Sequence, residues 1–145
     1  MENRHKISSE SLKSVLVSVQ KETTNLKGGV FTLKSNSTNK DFTFRIITKP
    51  FKDKTYTHVY VETQYMNFKH LGTYFKGKIY KGGKSVESSS TKAIGFVMNK
   101  VEKGSFGWLD ANVSVYHLGS CLKCGRALTD AKSIELGLGS VCQSK

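Results

Sequence analysis

Residues 41–48 read Asp41-Phe42-Thr43-Phe44-Arg45-Ile46-Ile47-Thr48. Phe42, Phe44 and Ile46 alternate with Thr43, Arg45 and Ile47, the period-two pattern of a half-buried strand. Lys49-Pro50 is expected to end it, since proline cannot donate to a ladder. Tyr56–Thr63 repeats the pattern, with Tyr56, His58 and Tyr60 on one face and Thr57, Val59 and Val61 on the other. Upstream, Gly29–Lys34 reads as a strand and the polar stretch 35–40 as a turn. Downstream, His70–Phe75 and Lys78–Lys81 read as a hairpin across Lys76-Gly77, followed by a Gly/Ser/Lys loop over Gly82–Ser90.

Helical periodicity flanks this β-rich block. Leu12, Val15, Leu16 and Val19 recur at i, i+3, i+4, i+7, which predicts an amphipathic helix from Ser8 or Ser9 to about Lys21, with serine as N-cap. Val15, Val17 and Val19 also alternate, as a strand would require, and the helix is the preferred reading. Ile94, Val97, Met98 and Val101 form a second stripe over Ser90–Lys103, with Gly104 placed to end it. Residues 1–7 are expected to be frayed, Gly28-Gly29 to turn the chain, and a linker through Trp108 to lead into a short strand at Ala111–Leu118. The fold class is therefore α+β. A small antiparallel sheet, open or closed into a barrel, carries two flanking helices and a C-terminal module of zinc-ribbon or treble-clef type. The expected division is 1–28 for the N-terminal helix and turn, 29–110 for the basic β-rich core with one helix, and 111–145 for a zinc-binding module.

The chain carries 23 Lys and Arg against 11 Asp and Glu, a formal net charge of +12. A charge of that size repels itself in the compact state, so it serves solubility or meets a polyanion. It is uneven. Between Thr63 and Val86 lie Lys69, Lys76, Lys78, Lys81 and Lys84 with no acid, interleaved with Tyr65, Phe68, His70, Tyr74, Phe75 and Tyr80. Ammonium groups displace counterions from phosphate and rings stack on bases. Lys69, Tyr74, Lys76, Lys78, Tyr80, Lys81 and Lys84 are accordingly expected to contact nucleic acid, with Lys123 and Arg126 as a second, smaller patch. Strand alternation works against this, because it sends about half of such aromatics into a core.

Three cysteines, Cys121, Cys124 and Cys142, stand in the last 25 residues. An odd, clustered set is unlike a secreted disulfide scaffold and suits a metal in a reducing cytoplasm. The start, MENRHKISSE, lacks the apolar core of a signal peptide, and no apolar run reaches the ~20 residues that span a bilayer. The spacing His117-x3-Cys121-x2-Cys124-x17-Cys142 fits one structural Zn2+, with His117 as the expected fourth ligand and water, Asp130 or a backbone group as its rivals. Two residues between thiolates let one turn offer both sulfurs, and Gly125 eases that turn. Thr129-Asp130 can cap a short helix over Lys132–Leu136, which Gly137 ends. No His-x-Glu precedes the cysteine pair, as a zinc deaminase would require.

The string Cys121-x2-Cys124-Gly125-Arg126-x-Leu128-Thr129-x3-Ser133-Ile134-x2-Gly137-x-Gly139-x2-Cys142 resembles a widespread family of unknown function from bacteriophage and bacterial proteins, found alone or fused to helicases and other DNA-processing enzymes. The family usually has Pro where Ser140 stands and Pro after the Thr, where this chain has Asp130-Ala131; both departures concern rigidity rather than ligation. A looser likeness runs upstream through Phe42–Arg45 and Leu71–Gly77 to the helix near Phe96. The resemblance implies a zinc-binding module in a phage-type or mobile-element setting and carries no activity.

No phosphate-binding P-loop, nucleophile elbow or His-Glu-x2-His zinc motif is present, and the acids are scattered. A nuclease built on His58 or His70 competes with their simpler reading as strand-face residues. The expectation is a small, basic, zinc-binding, non-enzymatic nucleic-acid-binding protein of phage or mobile-element type in the host-cell cytoplasm. Its rival is a phage-type inhibitor that binds an acidic host defence or DNA-processing protein. Neither a membrane nor a small-molecule substrate is expected.

Overall fold

The computed structural model describes residues 4–21, 29–64, 67–80 and 89–143. Seven strands pair antiparallel in one sheet: β1 (His5–Ile7), β2 (Val30–Ser35), β3 (Asp41–Phe51), β4 (Lys54–Gln64), β5 (Asn67–Phe75), β6 (Lys78–Tyr80) and β7 (Val113–His117). Their spatial order is β1-β7-β2-β3-β4-β5-β6. The sheet is open, with β1 and β6 at its edges, so the barrel alternative is set aside. Five helices accompany it: α1 (Ser9–Gln20), α2 (Ser89–Glu102), α3 (Phe106–Asn112), α4 (Ala131–Leu136) and α5 (Ser140–Gln143). The α+β class stands.

Burial decides the ambiguous valine segment. Leu12, Val15, Leu16 and Val19 are all fully buried while Val17 is 44% exposed. A strand would put Val15, Val17 and Val19 on one face; only a helix separates Val17 from the others. Ser8 caps α1 through a bond from the Ser11 N–H at 3.1 Å. Asp110 adds a second cap from α3 by accepting the Ser9 N–H at 2.9 Å.

Helix α3 replaces the expected linker and the first residues of the expected strand at 111–118, so β7 starts only at Val113. Leu109 turns into the core at 2% exposure, and the Asn112 side chain donates to the Trp108 carbonyl at 2.8 Å. Residues 5–7 are likewise a strand rather than a frayed end. Lys6 pairs with Tyr116 and Ile7 with Val115, and Ile7 is buried. Pro50 does not end β3, which continues to Phe51 with Pro50 opposite Thr55. Near the hairpin tip, a missing ladder donor does not break the strand.

One sheet face packs against the helices. Phe31, Leu33, Phe44, Ile46, Val59, Val61 and Val115 point into this core and meet Leu12, Leu16, Ile94, Met98 and Leu109. Each such side chain, moved out of water, contributes about 2 kcal/mol. Thr48 marks the same face: its hydroxyl donates to the Val19 carbonyl of α1 at 2.6 Å and lies 2.8 Å from the Thr57 hydroxyl. The core runs on without a break into the cysteine segment through Leu122, Leu128, Leu138, Cys121 and Cys142. No helix among the described residues is long and apolar enough to cross a membrane.

Candidate metal centre and basic aromatic face

Strand β7 delivers the chain into a tight knuckle. Ser120 bridges Ala127, the Cys121 N–H donates to the Arg126 carbonyl at 2.8 Å, and the Gly125 N–H donates to the Cys121 carbonyl at 2.9 Å. Gly125 takes φ 80°, a left-handed conformation that costs glycine nothing. The turn thus presents Cys121 and Cys124 together. Helix α4 is capped by Asp130, whose carboxylate accepts the Ser133 N–H at 3.0 Å, and Gly137 ends it at φ 74°. The Leu122 N–H then donates to the Gly137 carbonyl at 2.8 Å, tying the knuckle to the turn that leads into α5 and Cys142.

The ligand atoms of Cys121, Cys124 and Cys142 all lie within 4.8 Å of one another, and the three thiols are free. Burial pushes the Cys121 thiol up, but N–H groups of Gly139, Cys124 and Lys123 aimed at it prevail and leave it below its ordinary range. The Lys123 N–H stands 3.4 Å from the sulfur. Burial, then the neighbouring sulfurs of Cys121 and Cys124, push Cys142 up. Three crowded sulfurs, with Cys121 lowered by backbone N–H groups and Cys142 raised by burial and its sulfur neighbours, form a donor set that a cation would stabilise.

His117 does not join them, which corrects its expected role. It is fully buried on β7, and both ring nitrogens are spent on backbone. Nε2 lies 2.7 Å from the Ile134 carbonyl and Nδ1 lies 3.0 Å from the Gly119 N–H. A carbonyl can only accept and an N–H can only donate, so the ring is the neutral Nε2–H form. His117 therefore pins β7 to α4, and its ring stacks on His5 with centroids 5.2 Å apart. Asp130, the rival ligand, is the cap of α4 and also stands outside the sulfur group.

Burial holds the His117 pKa below 6.5, partly offset by its bond to Ile134 and reinforced by His5. With the folded value depressed, its contribution to stability is complete above 6.5 and is lost as pH falls through the folded value. Imidazole 15N shifts at neutral pH are expected to report an Nε2–H tautomer with a metal-free Nδ1. His117→Ala is expected to keep its metal while losing about 1–3 kcal/mol of stability. Loss of metal stoichiometry in that variant would return His117 to the ligand set.

The face opposite the helices carries a different chemistry. Register places Arg45 against Tyr60, Ile47 against His58 and Lys49 against Tyr56. Next to them, Tyr60 pairs with His70 and Glu62 with Phe68. The Arg45 guanidinium lies 4.4 Å from the Phe68 ring centre, and His58 Nδ1 lies 3.1 Å from His70 Nε2. Burial first, then Lys49 and for His58 also His70, lower both imidazole pKa values below 6.5.

At the far end of this face, β4 and β5 part beyond the Thr57–Tyr74 pair. A cleft of about 570 Å³ opens there through the edge of the sheet, lined by Lys54, Tyr56, Phe75 and Tyr80 on this face and by Gln20 of α1, Thr57 and Tyr74 on the helix side. Phe51, Tyr56, Phe75 and Tyr80 are 39–61% exposed. Lys52, Lys76 and Lys78 extend over the rings of Phe51, Phe75 and Tyr80 at 5.2–5.6 Å.

The expected contact residues divide accordingly. Lys76, Lys78 and Tyr80 gather at this cleft. Lys69 is exposed, but it pairs with Val61 and so stands on the helix side of the sheet. Tyr74 is 4% exposed and Lys123 is 4% exposed; neither can meet a polyanion from those positions. Arg126 is exposed on the knuckle. Lys81 and Lys84 lie outside the described residues. Sequence reading missed Arg45, Lys49, Phe51, Lys52, Lys54, Tyr56 and Tyr60 as members of the surface, while Phe68 and Phe75 stood among the interleaved aromatics of the 63–86 block. The alternation of Tyr56, His58 and Tyr60 was the one signal for them, and strand register was needed to add the rest.

Residues 111–145 match the model of a family of unknown function, DUF6011. The chain is similar to that family over this segment, which holds all three cysteines. No curated protein and no solved structure matches the chain.

Proposed function

We propose that this chain is a zinc-binding protein that holds single-stranded nucleic acid on its helix-free sheet face. The observation that carries the reading is the gathering of Phe51, Tyr56, Phe75 and Tyr80, all exposed, with Lys49, Lys52, Lys54, Lys76 and Lys78 at one end of the sheet. Exposed rings leave faces free for bases, and lysines between them suit phosphates. Tyr60, His70, Phe68 and Arg45 extend the track towards the other end of β4. Unpaired bases are favoured over duplex because stacking on a side chain requires a base that is free of its own stack.

The metal assignment rests on donor chemistry. Thiolates are soft ligands that suit zinc, and tetrahedral Zn–S bonds of about 2.3 Å put sulfurs about 3.8 Å apart, compatible with a group whose sulfurs lie within 4.8 Å. Cys121, Cys124 and Cys142 would hold the ion, and its role is to clamp α5 and the knuckle together. The likeness of residues 111–145 to DUF6011, and of its cysteine string to phage and bacterial proteins, supports a phage-type or mobile-element setting in a host cytoplasm.

The test is a salt titration with a labelled single-stranded oligonucleotide, read by fluorescence anisotropy. Each phosphate neutralised contributes a slope of about −0.7 in log K against log salt. Three to five engaged lysines give about −2 to −3.5. Absent or salt-independent binding at about 50 mM salt would overturn the reading.

A further inference from the structure

At the opposite end of β3 from the aromatic cleft, a groove of about 320 Å³ lies between the β2–β3 hairpin and the α2–α3 pair. Leu33, Phe42, Val97 and Val113 line its apolar part, and Phe96 and Trp108 form one wall. Phe96 is 49% and Trp108 44% exposed, with ring centroids 5.4 Å apart and edge to face. Two large aromatics left half in water beside an apolar slot with a polar rim are the mark of a contact surface.

The rim is cationic. Lys34 and Lys40 line the hairpin side. On the helix side, Lys100 Nζ stands 5.5 Å from the Phe96 ring centre and 5.2 Å from that of Trp108. None of the residues lining the groove is acidic. The acids on flanking elements are engaged elsewhere: Asp41 with Arg4 at 3.2 Å, and Asp110 with the Ser9 N–H at 2.9 Å.

We infer that this groove docks a protein segment with apolar anchor residues flanked by Asp and Glu. The apolar slot sets the anchors, and the three lysines around an acid-free rim set the charge of what flanks them. The segment docks by its side chains, because both edges of β2 are already taken by β7 and β3, leaving no strand edge there to extend. Single-stranded nucleic acid is the rival occupant that the cationic rim would also admit, and the apolar slot of Leu33, Phe42, Val97 and Val113 is what favours apolar anchors over bases. The proposal is independent of nucleic-acid binding. The 11 residues of β3 run about 33 Å between the groove and the cleft, so both can be filled at once.

Trp108 is the sole tryptophan of the chain and reports the groove directly by its emission. The probes are a synthetic peptide with Leu and Phe anchors between Glu runs, a polyglutamate of equal charge, and a short single-stranded DNA. The anchored peptide is expected to shift Trp108 emission to the blue and saturate, with polyglutamate at least tenfold weaker. Phe96→Ala and Lys100→Glu are each expected to weaken the peptide at least tenfold. Ala93→Glu, at a half-buried helix position on the groove wall, is expected to block it while α2 stays folded by circular dichroism. Phe75→Ala, in the distant cleft, should leave it unchanged. No shift with the anchored peptide at millimolar concentration would overturn the proposal, as would equal binding of polyglutamate. Competitive displacement by the DNA would also overturn it. So would a shift that follows protein concentration alone, which would assign the groove to a second copy of the chain.

Discussion

Cys142→Ser is expected to release the metal and unfold the C-terminal segment. Purified protein should carry about one zinc per chain, and the variant close to none, by elemental analysis. Structural zinc supplies on the order of 10 kcal/mol in small modules, so its loss far exceeds what the few apolar residues here can offset. Leu122, Leu128 and Leu138 are buried in a core shared with α1 and the sheet, so the damage should spread beyond the segment. Amide exchange should rise first over 119–143 and more slowly over β2–β4, whose ladders do not depend on the sulfurs. A variant with full zinc content and an unchanged melting temperature would remove Cys142 from the ligand set. Paired with His117→Ala, the experiment separates a residue that holds the ion from one that holds the backbone beside it.

Phe75→Ala and Tyr80→Ala should each weaken single-strand binding by about 1–3 kcal/mol, roughly 5- to 150-fold, for each base that loses its ring. Because no charge changes, the salt slope should stay the same. Lys78→Gln should do the reverse, weakening binding modestly and reducing the slope by about 0.7. Tyr74→Phe is the control: Tyr74 lines the cleft from its helix side at only 4% exposure and the change removes only a hydroxyl, so binding should not change. If Tyr74→Phe weakened binding as much as Tyr80→Ala, the helix-free face would not be the binding surface.

Periodicity in sequence carried far into this fold. The stripes at Leu12–Val19 and Ile94–Val101 and the alternations at 41–48 and 56–63 all correspond to elements of the structure. Each is a repeating burial demand made by many side chains at once, and local chain geometry can meet it in only one way. What escaped were β1, α3, α5 and the run of β3 through Pro50. Three-residue β1 has no period to read and exists because β7 has a free edge. Seven-residue α3 forms because Leu109 finds the core and Asp110 finds the end of α1, partners about a hundred residues away. Such elements are held by contacts that the neighbouring residues do not encode.

The site divides along the same line. Cysteine spacing is local chemistry, and Cys121, Cys124 and Cys142 meet as their spacing demands. His117 has an equally suggestive position four residues before Cys121, yet the bonds from Gly119 and to Ile134 take both of its nitrogens. On the sheet, the block at 63–86 is basic and aromatic by composition, but composition carries no sense of side. The pleat sends Tyr74 inward and Lys69 to the helix face, while register brings in Tyr56, Lys49 and Phe51 from β3 and β4 to stand beside Tyr80. The sequence by itself determined the fold class, the two principal helices and the three clustered sulfurs that could hold a metal, because each depends on periodicity or spacing along the chain. Which cations and rings share one surface, and that a buried histidine holds strand to helix, was decided only by tertiary structure, because faces and hydrogen-bond partners are set by pairing across the sheet.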